Sequence, residues 1–157
     1  MRKRCGPTLL SLIIVFVAPT AHATENSDEQ AVKSAVEHFL SSLGTGDYEA
    51  VPAMFAPKAN ISHPTKVGSE WTMTIETFDE WIAARLASPT RMHFREPVNK
   101  FTVHIDDGLA FVRADASFFV EDKLQSNNMD YFTLIKVEGG WKFVNASYVS
   151  KPANPEK

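Results

Sequence analysis

The chain has 157 residues, 44% hydrophobic and 22% charged, with 7 Gly, 9 Pro and a single Cys. This composition is that of one ordinary globular domain; it excludes a disulfide-rich mini-protein, a collagen-like repeat and a charge-rich disordered chain. The formal net charge of −3 at pH 7 offers no general basic surface for nucleic acid.

The N-terminus reads as an export signal. Arg2, Lys3 and Arg4 form a positive head, Leu9 to Ala18 is an apolar run broken only by Ser11, and Ala21-His22-Ala23 places small residues where a signal peptidase cuts. The apolar run is too short for a spanning helix, which needs about 20 residues, so no stable membrane insertion is expected after cleavage. Cleavage after Ala23 takes 23 residues from 157 and leaves 134, and it removes three basic residues, moving the net charge from −3 to −6. Cys5, the only cysteine, leaves with the signal and does not follow the apolar run, as a lipid-anchor cysteine would. The expected product is a single secreted or periplasmic domain, residues 24–157 with a core of about 28–150, held by its apolar interior without a disulfide.

From Asp28 the pattern is helical. Ala31, Val32, Ala35, Val36, Phe39, Leu40 and Leu43 form one apolar stripe, Ser27 or Asp28 can cap its start, and Gly44 is expected to end it. Asp47 opens a short second helix through Tyr48, Val51, Met54 and Phe55, with Pro52 tolerated only in its first turn. A short strand over Ala59–His63, closed by Pro64, and another over Trp71–Thr74 follow. Thr77 and Glu80 form a capping box for a third helix, whose stripe is Phe78, Trp81, Ile82, Arg85 and Leu86. The period then changes to two. Phe101, Val103 and Ile105 alternate with polar residues, Asp106-Asp107-Gly108 makes a turn, and Leu109–Val120 forms a long strand. Gln125–Asn128 reads as a polar turn, Met129–Val137 as a strand, Gly139-Gly140 as a turn and Trp141–Val149 as the last strand. Helices first and a strand meander afterwards give an α+β fold, with the helices packed on one face of an antiparallel sheet.

Four segments in this order resemble the nuclear transport factor 2-like superfamily, and within it the "putative lumazine-binding" and polyketide-cyclase (SnoaL-like) families. They are Phe39 to Asp47, Met54 to Ala59, Thr77 to Ile82, and Asp130-Tyr131-Phe132 leading to Glu138–Phe143. The resemblance implies a cone: a strongly curved sheet wrapped around helices and enclosing a pocket. Its members include enzymes and non-enzymatic binders, so the fold does not give the function. It implies a general base at the position of His63, and acidic donors at the positions of Phe39 and Asp130. A phenylalanine cannot donate to an oxyanion, so the acid/base set of a ketosteroid isomerase is incomplete here.

On the Leu109–Val120 strand one face is Ala110, Val112, Ala114, Ala116 and Phe118, and the other is Phe111, Arg113, Asp115, Ser117 and Phe119. Taken alone, alternation makes the first face core and the second solvent-facing. The resemblance implies that the second face lines the pocket, which would turn Arg113 and Asp115 into it. Asn145 and Ser147 share the parity of Trp141 and Phe143, and Asp130 shares that of Phe132. The expected ligand-binding set is therefore Phe39, His63, Arg113, Asp115, Asp130 and Asn145, for a small organic ligand. Three functions are open: a binding protein without catalysis; an isomerase, dehydratase or cyclase with His63 as base and Asp130 or Arg113 stabilising the oxyanion or charge; and a homodimeric module joined through the open sheet face. No cofactor and no metal are expected, because none of His38, His63, His93 and His104 pairs at a zinc-helix spacing. Asn60-Ile61-Ser62 and Asn145-Ala146-Ser147 match the glycosylation sequon.

Overall fold

The structure, a computed structural model, describes residues 21–154, with side chains of the first helix from Ser27 onward. The expected signal head and apolar run therefore lie outside the described residues. The first helix, α1 (Ala21–Thr45), starts upstream of Ser27 and Asp28, so neither residue caps it. Its stripe buries Val32, Val36, Phe39 and Leu40 against the sheet. Gly44 lies inside the last turn, and its role is a close approach. A Cβ there would meet the Phe94 carbonyl oxygen at 2.5 Å, and the Phe94 N–H donates to the Gly44 carbonyl at 3.0 Å. The chain leaves the helix at Gly46, whose φ of 75° suits glycine. The expected second helix shrinks to one 3-10 turn, Val51–Met54, with Pro52 at its start.

Strand β1 (Phe55–Val67) runs through Pro64 rather than stopping there. Its pairing with the last strand ends at Ser62, so from His63 onward one strand edge is open, where a proline is tolerated. β2 (Glu70–Thr77) completes a hairpin with β1. Helix α2 (Phe78–Leu86) carries the expected capping box in both directions, the Thr77 side chain accepting from the Glu80 N–H and the Glu80 carboxylate accepting from the Thr77 N–H. The strands β3 (Val98–Asp106), β4 (Leu109–Val120), β5 (Lys123–Val137) and β6 (Gly140–Pro152) follow as a meander. The β4–β5 turn is Glu121-Asp122, both with positive φ (48° and 60°), a tight two-residue connection. Gln125–Asn128, expected as turn, is therefore strand.

The six strands form one open sheet in the order β2-β1-β6-β5-β4-β3. All neighbours are antiparallel except β1 and β6, which run parallel, so the sheet is mixed. The first strand lies beside the last, and the whole intervening chain forms the crossover. α1 and α2 cover one face of the sheet. Between sheet and helices the aromatic rings of Phe39, Phe55, Phe132 and Phe143 pack with centroids 5.0–6.0 Å apart. Phe55 also stacks on Phe78 at 3.9 Å.

Candidate functional site

A cavity of about 370 Å³ remains on the helix-covered side, within the size range of ligand pockets. Aromatic walls come from three directions. Phe39 comes from α1, Trp81 from α2, and Phe118, Phe132 and Tyr148 from the sheet, while Phe94 is held by the contact at Gly44. The inner face of β5 supplies Asn128, Asp130 and Phe132 in strict alternation, all buried. Glu96, from the segment entering β3, completes the polar end.

Asp130 is the central polar group of this cavity. It is only 5% exposed, and its Oδ2 has no hydrogen-bond partner among the described residues. Burial, reinforced by the nearby carboxylates Glu96 and Asp115, pushes its pKa up to about 8. At neutral pH it is a carboxylic acid with a proton to donate. Burial also raises Glu96, against the hydrogen bond it accepts from the Asn128 amide. The Ser126 hydroxyl donates to the carbonyl of that amide at 2.8 Å and fixes its orientation.

The other pole is Arg85 on α2. Its guanidinium lies over the Trp81 ring, 3.5 Å from the centroid, and donates to the Trp81 carbonyl at 3.1 Å. Desolvation lowers its pKa, and no carboxylate among the described residues stands at ion-pair distance from it.

Of the six residues expected at the site, Phe39 and Asp130 line the cavity. His63 is not among its lining residues; it stacks on Tyr148, which is, with ring centroids 5.0 Å apart. Arg113 and Asp115 lie on the opposite, outer face of the sheet, where they pair with each other at 2.8 Å. Plain alternation was the better guide there: Ala110, Val112, Ala114 and Ala116 are buried under the helices, so their β4 neighbours must face out. Asn145 is also on the outer face. The register between β5 and β6 shifts between Thr133 and Leu134, which pair with Asn145 and Phe143, and leaves Val144 as an extra residue. This bulge reverses the parity, so Ala146, Tyr148 and Ser150 line the cavity and Asn145 does not, while Ser147 borders the cavity and turns its hydroxyl to Asn145 and Ser62. Asn145 instead donates to Asn60 at 2.5 Å and accepts from Ser147 at 2.9 Å, while the Ser62 and Ser147 hydroxyls meet at 2.7 Å. Both sequon asparagines are thus tied side by side within paired strands.

Arg85, Glu96, Asn128 and Tyr148 were not expected at the site. A charged residue within the apolar stripe of α2 was the available sign for Arg85. Asn128 could be inferred only after continuing the Asp130 parity beyond the apparent turn. Glu96 has no periodic context at all.

The family model described as "Putative lumazine-binding" matches residues 27–149. No curated protein matches the sequence. Many solved structures share the fold. One is a Novosphingobium aromaticivorans NTF2-like protein with a cystatin-like fold: 15% identity, TM-score 0.67, 85% of this chain and 88% of that chain covered. A second Novosphingobium aromaticivorans protein, described as "Putative Scytalone Dehydratase", has 14% identity and a TM-score of 0.61, with 85% and 96% covered. The CamKII hub homology domain of Chlamydamonas reinhardtii has 18% identity and a TM-score of 0.59, with 78% and 98% covered. At these identities the likeness concerns the fold alone, whereas the family match spans both helices, the cavity walls and nearly all of the sheet; the chain belongs to the "Putative lumazine-binding" family of the NTF2-like superfamily.

Proposed function

We propose that this protein is an exported binder of a small planar organic molecule, held in the inner cavity with Asp130 as a neutral hydrogen-bond donor. The observation that carries the reading is the buried Asp130 Oδ2, without a partner among the described residues, in an aromatic-walled cavity. A buried polar atom left unpaired costs about 1–3 kcal/mol, which a ligand carbonyl or ring nitrogen would recover. Lumazine, a pteridine-dione, has such acceptors on a flat ring system, in keeping with the family description. The test is a titration with lumazine, followed by its fluorescence and by thermal shift. Saturable binding that weakens about 10-fold or more in Asp130→Leu is expected, the factor matching the lost hydrogen bond. The reading is refuted by absence of saturable binding or of any thermal shift, with lumazine and with related planar heteroaromatics.

Export rests on the basic head, apolar run and Ala21-His22-Ala23. Protein recovered outside the cytoplasm should begin at Thr24; full-length protein retained inside refutes it. The outer sheet face supports self-association as a homodimer. Trp71, Met73, Ile75, Phe111 and Tyr131 are all exposed there, and one structural neighbour is a hub homology domain. Light scattering should give twice the monomer mass, and a monomer at every concentration refutes the dimer.

A catalytic use of the same cavity has one observation in its favour: Glu96 and Asp130 sit together at its polar end, both raised by burial. Glu96 would serve as base and Asp130 as acid. His63, behind Tyr148, would act only through that ring. Deuterium wash-in beside the carbonyl of a bound cyclic enone should then be lost in Glu96→Gln and kept in His63→Ala. Absence of wash-in refutes it.

A further inference from the structure

The cavity has two poles, and its small-molecule reading leaves the second one unused. Arg85 is half-buried on the cavity wall, and among the described residues only one of its five N–H donors has an acceptor, the Trp81 carbonyl. Its plane is fixed by the Trp81 ring beneath it. Glu76 and the tyrosines Tyr48 and Tyr148 act on it only at longer range. An arginine that served only to cover Trp81 would ordinarily keep its charge in water or beside a carboxylate. This one is partly desolvated, with no paired anion among the described residues.

Arg85 and Asp130 both line the cavity, and among the described residues no ion pair joins them. Tyr148 lines the same cavity and feels the charges of Arg85, Asp130 and Glu96. Phe39, Trp81 and Phe132 give the same cavity its aromatic walls.

Building on the small-molecule reading, we infer that the natural ligand is an organic anion. Its flat apolar body fills the aromatic section, its acceptor end meets the Asp130 carboxylic acid, and a carboxylate or equivalent anionic group at the other end is received by Arg85. A guanidinium stacked on an aromatic ring presents its remaining donors as a fixed fork, which suits a planar carboxylate. The neutral acid at the far end matters equally, because an ionised Asp130 would repel the same ligand.

A matched pair of fluorescent probes separates the anion from the apolar body: anilinonaphthalene sulfonate, and the neutral phenylnaphthylamine that lacks only its sulfonate. The wild-type protein should bind the sulfonate about 10-fold or more tighter, the equivalent of one charge-assisted hydrogen bond. Arg85→Gln should erase that preference while leaving the neutral probe within about twofold, and Arg85→Lys should restore part of it. Lys33→Gln, on the outside of α1, should change neither. Equal wild-type affinities for the two probes, or equal losses of both in Arg85→Gln, overturn the anion assignment while the small-molecule reading stands. Failure of both probes to bind overturns both. Should Arg85→Gln not fold, the wild-type preference and Arg85→Lys decide the matter.

Discussion

Asp130→Asn keeps the size and shape of a buried side chain and removes its ionisation. In the folded protein the carboxyl titrates near 8, against 3.8 for the free group. The folded state thus holds its proton more tightly than the unfolded chain. For a raised carboxyl, stability is full below the unfolded pKa and declines as pH rises, levelling off above the folded pKa. Between about pH 4 and pH 8 the slope is about 1.4 kcal/mol per pH unit, so the full ionisation penalty is about 6 kcal/mol. The cavity is open on one side, and water entering it lowers the cost, which brings the expected penalty at pH 8 to about 2–4 kcal/mol. The assay is urea unfolding of wild type and Asp130→Asn at intervals from about pH 4.5 to 9. The two should have similar stability at the acid end and diverge with rising pH, the variant being more stable by about 2–4 kcal/mol at pH 8. Glu96, raised in the same direction, remains in both proteins and largely drops out of the difference. Parallel curves, or a variant destabilised equally at all pH values, would refute the neutral-acid assignment.

Phe39→Ala opens the centre of the aromatic cluster and should cost about 3–5 kcal/mol in thermal or urea unfolding, because Phe39 is 3% exposed and touches four rings. Gly44→Ala forces a Cβ against the Phe94 carbonyl and should cost about 1–3 kcal/mol; a probe in the cavity should also report displacement of the Phe94–Glu96 segment. Thr77→Ala removes the α2 cap and should cost about 1 kcal/mol by denaturant midpoint, and Thr77→Ser should recover most of it.

How much of this site could be read from the chain is clearest at three residues. Asp130 was legible because β5 alternates without interruption, so its parity with Phe132 carries straight through. Asn145 was misplaced because the extra residue at Val144 has no local signature: it is neither glycine nor proline, and only the β5–β6 register reveals it. Arg113 and Asp115 face outward, against what the resemblance implies, because the alternating row Ala110, Val112, Ala114 and Ala116 takes the buried face of β4.

The sequence by itself determined the α1 stripe, the α2 capping box, the run of strands and the inward face of β4 and β5. These depend on periods of 3.6 and 2 and on backbone groups satisfied a few residues away. Only the tertiary structure decided which carboxyl lost its solvent, which arginine has no paired anion among the described residues, and which face of β6 looks inward. Desolvation and charge pairing depend on groups distant in the chain: Glu96 meets Asn128, Asp130 and Tyr148 only because β3, β5 and β6 share one curved sheet beneath α1 and α2.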